Sequence, residues 1–256
     1  MDDKAPQLLD LDNPQSWPPP LADFLDWHHQ LFLSWEKRGS SSRRTSPQEY
    51  DDAIRALEEI LSLYALRGWH CTRLTGAEIA AIDRDGMSLP NVEMLARRID
   101  AVAAAGGFTP EVAAALKAKN QAHEKNRAGM LWFCSFPPAI EYDGVSDFFR
   151  HWGGEALYNS HDHHPQNAPL IGKVGTPCIV EADVPIAFFA PHSWLSIKVV
   201  RRFLISRGFQ TREPVHHEDR IIKPLPASAI RRVIRYPSPE FMELSGCEKL
   251  RPPLQG

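Results

Sequence analysis

No apolar run among the 256 residues approaches the roughly 20 needed to span a bilayer as a helix, so no membrane partner is expected. The opening Met1-Asp2-Asp3-Lys4 lacks the basic-then-apolar layout of a secretory signal, and the chain is read as cytoplasmic. Cysteine is scarce. Cys71, Cys134, Cys178 and Cys247 are widely spaced with no C-x-x-C pair, which argues against a zinc or disulfide framework and for buried, reduced thiols. Also missing are a Walker A loop, a G-x-G-x-x-G turn, a G-x-S-x-G elbow and an H-E-x-x-H helix, so the common phosphate-cradling, nucleophilic-serine and zinc-protease chemistries have no foothold.

What is present is an ordinary globular composition, 43% hydrophobic and 24% charged, large enough to bury its own core. The net charge of −3 hides an asymmetry. Residues 1–66 carry 12 Asp/Glu against 6 Lys/Arg, net −6, whereas residues 198–236 carry 10 Lys/Arg against 3 Asp/Glu, net +7. The basic strip of Arg201, Arg202, Arg207, Arg212, Arg220, Arg231, Arg232 and Arg235 suits an anionic ligand such as a pyrophosphate, a nucleic-acid target, or simply a solvated surface.

Three segments are expected. Residues 1–45, rich in Pro, Asp and Ser, read as an arm holding one short helix over Phe24–Trp35; residues 46–236 read as a single α+β domain; residues 237–256, with four prolines, read as a tail over the surface. Within the domain, Ser46 and Glu49 have capping-box spacing with Pro47 at the first helical position, and Tyr50, Ile54, Leu57, Leu61 and Tyr64 repeat at helical spacing before Gly68. Arg67–Leu74 then reads as a buried strand. Thr75 and Glu78 form a second capping box, opening a helix that stops at Gly86. Asn91–Ala105 and Pro110–Asn126 read as a helical hairpin insert, and Met130–Phe136 as a central strand buried on both faces. Glu155–Tyr158 and Thr176–Val184 are expected strands, Ser193 caps a helix over Trp194–Arg207, and Ile230–Tyr236 pairs back on the strand Val215–Ile222.

His70 and Thr72, two apart on a strand, face one side together and make a ligand wall, or else are a core histidine and an ordinary strand threonine. The order of H-x-T strand, helix ending in Gly, aromatic strand, and late strand-turn-strand Glu218-Asp219-Arg220-Ile221-Ile222-Lys223-Pro224-Leu225-Pro226-Ala227-Ser228-Ala229-Ile230 resembles the ADP-ribosyltransferase superfamily over residues 67–236. That resemblance implies a split, mixed or antiparallel sheet with the helical N-terminal region and hairpin insert as additions, and NAD as substrate. It further implies that His70 and Thr72 hold the ribose and nicotinamide, that Trp132, Phe133 or Tyr158 stacks on nicotinamide, and that Glu218 is the acid that stabilises the ribosyl cation, with His70 beside it. The modified target would be a protein or a nucleic acid, or the reaction a transfer of an RNA 2′-phosphate to NAD. No tyrosine occupies residues 130–136, and Glu155 and Glu181 compete for the acidic role. Glu155 follows Trp152-Gly153-Gly154, where glycines permit close approach of a ligand to the backbone.

Two other classes stay open on the residues alone. His161, Asp162, His163 and His164, with His216 and His217, hold enough imidazole and carboxylate for a metal-dependent hydrolase, although adjacent loop histidines do not converge on one ion unaided. A non-enzymatic interaction module accounts for the aromatic N-terminal segment and the charge asymmetry without chemistry.

Overall fold

The computed structural model describes residues 6–37, 46–141, 144–191, 194–211 and 217–254. In chain order these form β1 (Gln7–Leu9), α1 (Pro19–Trp27), α2 (His29–Glu36), α3 (Pro47–Leu61), β2 (Tyr64–Leu74), α4 (Gly76–Asp85), α5 (Val92–Ala104), α6 (Pro110–Ala118) and β3 (Leu131–Cys134). There follow α7 (Val145–Arg150), α8 (Glu155–His161), α9 (Asn167–Ile171), β4 (Thr176–Pro185), α10 (Leu195–Ser206), β5 (Glu218–Ile221), β6 (Ile230–Arg235) and α11 (Pro239–Ser245). The fold is α+β. Its strands make one open, mostly antiparallel sheet ordered β5-β3-β2-β4-β6, with β1 parallel on β2. β6 runs antiparallel to β4, from Cys178 opposite Arg235 to Ala182 opposite Ile230, and so does not fold back on β5 as its sequence proximity suggested.

The chain divides into two compact units. The first comprises Met1–Gly68, Cys134–Phe136 and Asp183–Asp219. Its core forms where α1, α2 and α10 pack on α3, around Leu21, Leu25, Phe32, Leu57 and Leu204, all fully buried. The single N-terminal helix expected is two, separated at His28, whose Nδ1 meets the Phe24 carbonyl at 2.9 Å. The prolines before it serve as the opening turn of α1, where a missing N–H costs nothing. Pro47 likewise opens α3, but Ser46 makes no side-chain cap, and Gly68 lies inside β2 because the chain is already extended from Tyr64. Ser193 lies outside the described residues, as do Val215 and His216.

Three arginines of the basic strip are paired with acidic residues of the N-terminal segment inside this unit. Arg201 Nε bonds Glu36 Oε1 at 3.0 Å with both side chains buried, Arg202 holds the Leu11 carbonyl and Asp12 at 2.8 Å each, and Arg207 grips both Asp26 oxygens at 2.6 and 2.7 Å. The last two pairs are surface contacts worth about 0–1 kcal/mol. The Arg201–Glu36 pair is different, because removing one partner strands a buried charge at a cost of about 3–5 kcal/mol. Arg201→Ala is therefore expected to lower the unfolding free energy by that amount in urea melts, and the double variant Arg201→Met with Glu36→Leu to recover most of it.

The second unit comprises Trp69–Phe133, Pro137–Ala182 and Arg220–Gly256. The hairpin insert is present as α5 and α6, with Asn91 and Thr109 capping them, but α6 stops at Ala118 where the expected helix ran on to Asn126; it packs through Leu95, Ile99 and Leu116 on Trp152 and Leu157. Glu155–Tyr158, expected as a strand, is the start of α8: Gly153 and Gly154 turn the chain at positive φ, and Leu157 and His161, one helical turn apart, are both buried. A second cluster gathers Cys71, Phe149, Ile179 and Ile234 with Phe241 and Cys247. The last two come from the segment expected to trail over the surface; Ser238 caps α11 and Phe241 is fully buried. Arg73 is 1% exposed, and its guanidinium donates to the carbonyls of Val174, Phe149 and Gly175 at 3.0, 3.0 and 2.7 Å.

Candidate functional site

The end of β2 alternates as a strand should. Cys71 and Arg73 are buried, whereas His70 and Thr72 share the other, half-buried face. The His70 ring is anchored: Nδ1 meets the Trp132 carbonyl of β3 at 2.8 Å, and the ring lies 5.7 Å from that of Phe133. A carbonyl only accepts, so the proton sits on Nδ1 and Nε2 of the neutral ring is left as an acceptor. Burial lowers the pKa of His70, and the nearby Arg98 charge lowers it further, against the opposing effect of the Trp132 carbonyl. The ring is thus neutral at neutral pH. Thr72 Oγ1 makes only a long bond, 3.4 Å, to the Arg73 carbonyl.

α4 begins with the capping box read from the sequence: Thr75 Oγ1 accepts from the Glu78 N–H, and Glu78 Oε2 accepts from the Thr75 N–H at 2.7 Å. The same carboxylate takes Arg98 Nε at 2.5 Å and the indole N–H of fully buried Trp152 at 3.1 Å, while the Arg98 guanidinium lies 4.8 Å from the Trp152 ring. Burial would raise the Glu78 pKa, but Arg98, the Thr75 N–H and Trp152 together hold it below its ordinary value. This Glu78–Arg98–Trp152 support was missed by sequence reasoning, and only its capping box was visible. At its far end α4 holds the turn after β5. Met87 and Leu225 exchange backbone hydrogen bonds at 2.8 and 2.9 Å, and Gly86, at φ +80, leaves no room for a β-carbon, which would come 2.1 Å from the Leu225 oxygen.

Trp132 is not buried on both faces as expected. It is 41% exposed, and the Arg220 guanidinium lies 5.4 Å from its ring. Glu218, the first residue of β5, is exposed, and Asp219 after it is buried; Glu218 belongs to the first unit, whereas His70, Thr72, Trp132, Glu155 and Tyr158 belong to the second. Glu181 is 4% exposed and takes Arg232 Nε at 2.6 Å, so it serves as an ion-pair partner. Glu155, at the start of α8, is half-exposed 3.7 Å from Arg127. Tyr158 is buried against His151 and Phe148, and burial, then Glu155 and Asp147, raises its pKa. Among the described residues no hydrogen bond or ring contact joins Glu155 or Tyr158 to His70.

The histidine cluster does not converge. His161 is buried in α8 with Nε2 donating to the Lys119 carbonyl at 2.6 Å and Nδ1 accepting from Asn167 at 3.0 Å, whereas the side chain of His163 is almost fully exposed. Among the described residues no group of His, Cys, Asp and Glu is arranged to hold a metal ion. Burial lowers the pKa of His161. The unfolded chain therefore takes up a proton near pH 6.5 that the folded chain refuses, so this group's contribution to stability is present above that pH and lost as pH falls. Wild-type unfolding free energy should drop between pH 7 and 5 by up to about 1.4 kcal/mol per pH unit from this group, and His161→Gln should flatten that slope.

Among the described residues no helix is long and apolar enough to cross a membrane. No protein-family model, curated protein or solved structure matches this chain.

Proposed function

We propose that this chain is an NAD-dependent ADP-ribosyltransferase that modifies a macromolecular target, with an ADP-ribosyltransferase-type sheet. The reading is carried by one observation: the H-x-T histidine is held by its Nδ1 on the Trp132 carbonyl, uncharged, with Nε2 an acceptor for a sugar hydroxyl. Thr72, on the same strand face, adds a hydroxyl whose own bond is weak. The half-exposed indole of Trp132 offers an aromatic surface for nicotinamide, and the Arg220 and Arg98 guanidiniums supply positive charge for a pyrophosphate. Support also comes from the chain's order, since the turn following the Glu218 strand is clamped to the helix that follows the H-x-T strand. In this reading Glu218 accepts from the ribose 2′-hydroxyl and faces the positive charge that develops as nicotinamide leaves.

The reading makes a direct demand on binding. Titration calorimetry should show saturable NAD binding by the full chain, weakened by about tenfold or more in His70→Ala, since a ribose hydroxyl then loses its acceptor. His70→Asn, which can reproduce part of that bonding, should fall between. No heat of binding at millimolar NAD would remove the assigned chemistry.

A further inference from the structure

Arg98, on α5, is held at two points: its Nε donates to Glu78 Oε1 at 2.5 Å, and its guanidinium lies 4.8 Å from the ring of Trp152. Both anchors are themselves fixed. Glu78 Oε2 accepts from the Thr75 N–H at 2.7 Å and from the indole N–H of Trp152 at 3.1 Å, and Trp152 is fully buried among the apolar side chains of the hairpin insert. These contacts use Nε and one face of the guanidinium, and its outer edge is left over. Neither Nη1 nor Nη2 donates to a protein group among the described residues, and neither is sealed: the side chain is 25% exposed and both nitrogens reach solvent. His70 is open in the same way. Its Nδ1 is spent on the Trp132 carbonyl, whereas Nε2 reaches solvent and has no protein partner among the described residues. Arg98 is close enough for its charge to weigh against protonation of that ring.

An open acceptor beside open cationic donors narrows the ligand. An anion alone meets a lone pair at Nε2 of the neutral ring, so the pair calls for a ligand that carries a hydroxyl donor next to an anionic group. A phosphorylated ribose carries both. We infer that Arg98 is a specificity-determining residue of this site: its Nη edge takes the 5′-phosphate of the ribose whose hydroxyl donates to His70 Nε2, and Glu78 and Trp152 are positioning residues that fix that edge in advance. The inference rests on the reading that His70 holds the ribose next to nicotinamide, and it assigns the phosphate on that ribose to the hairpin insert. An arginine pinned before the ligand arrives loses little freedom on binding, and its planar edge matches two phosphate oxygens at once.

The test is calorimetry on the full chain with a matched pair of probes, nicotinamide mononucleotide and nicotinamide riboside, which differ only in the 5′-phosphate. Wild type should bind the mononucleotide at least tenfold tighter. Arg98→Gln should abolish that preference and leave the affinity for the riboside nearly as it was. Arg98→Lys keeps the charge but not the planar edge, so the preference should shrink there too, and this variant carries the test if Arg98→Gln folds poorly. Glu78→Gln keeps an acceptor for the Thr75 N–H and the spacing of the capping box, yet loses the charge that holds Nε; it should shrink the preference with circular dichroism unchanged. A merely structural role for either residue would lower both affinities together and leave their ratio alone. The inference is overturned if wild type binds the two probes alike, if neither binds at millimolar concentration, or if the ratio survives both Arg98 variants. Nicotinamide release from NAD separates it from the reading beneath it. Release by wild type without a preference for the mononucleotide removes the role of Arg98 alone, whereas a preference that Arg98→Gln abolishes, with no release, keeps the phosphate site and removes the transfer chemistry.

Discussion

Arg73→Lys, nominally the mildest of substitutions, should destabilise the fold by about 3–5 kcal/mol, the cost of a buried charge that loses its partners. Arg73 is almost wholly buried, and burial draws its pKa down to about 10. From the ordinary 12.5, that shift corresponds to roughly 3 kcal/mol of desolvation at 1.36 kcal/mol per pKa unit, present at any pH below about 10 because the group is charged both folded and unfolded. The charge is tolerated because the planar fork reaches three carbonyls from two separate segments, Phe149 near the end of α7 on one side and Val174 and Gly175 just before β4 on the other. An ammonium is a single point on a shorter stem and cannot span them. Arg73→Leu removes the desolvation cost along with the hydrogen bonds, so it should be no worse than Arg73→Lys. Chemical denaturation of the three chains decides the matter: recovery of Arg73→Lys to within about 1 kcal/mol of wild type would mean that charge alone holds this position.

Where the sequence carried a long, one-period signal, its reading survives in the structure. The α3 stripe as far as Leu61, the hairpin insert as far as Ala118 and the α4 capping box are local patterns, and local patterns are legible, whereas Tyr64 already belongs to β2. The failures share a cause. Leu157 and Tyr158 are adjacent and both buried, so four residues of that segment fit either period, and α8 is decided by its packing on Trp152. β6 follows a turn from β5 yet pairs with β4, a choice set by the sheet and not by the turn. Part of the basic strip looked like a ligand surface because the partners of Arg201, Arg202 and Arg207 lie 165 to 190 residues upstream, at Glu36, Asp12 and Asp26. A run of charge along the chain shows only half of each pair.

The site was legible in the same measure. Strand alternation put His70 and Thr72 on one face, and that follows from geometry alone. What the alternation could not supply was the ring's orientation, which depends on the Trp132 carbonyl 62 residues away, or the Arg98 charge beside it, held by Glu78 and Trp152. Trp132 looked like core because its neighbours are apolar. Only the pleat of β3, buried at Leu131 and Phe133, turns it outward.

Glu218→Gln is the sharpest test of the proposed chemistry. The substitution keeps size and shape while removing the charge, and the residue is exposed at the start of β5, so stability should move by no more than about 0.5 kcal/mol. NAD affinity should also change little, because an amide oxygen still accepts from a hydroxyl and no charge has developed in the ground state. Turnover should fall by about 100- to 1000-fold, or 2.7–4 kcal/mol, as the ribosyl cation loses its one facing carboxylate. The separation of these effects is what matters. A loss in kcat with KM held identifies an interaction made only in the transition state, whereas equal losses in binding and stability would reduce Glu218 to a structural residue. Slow NAD hydrolysis, followed by nicotinamide release from wild type, Glu218→Gln and Glu155→Gln side by side, reads this directly. If Glu155→Gln alone abolishes release, the acid lies at the head of α8 and the assignment to β5 fails.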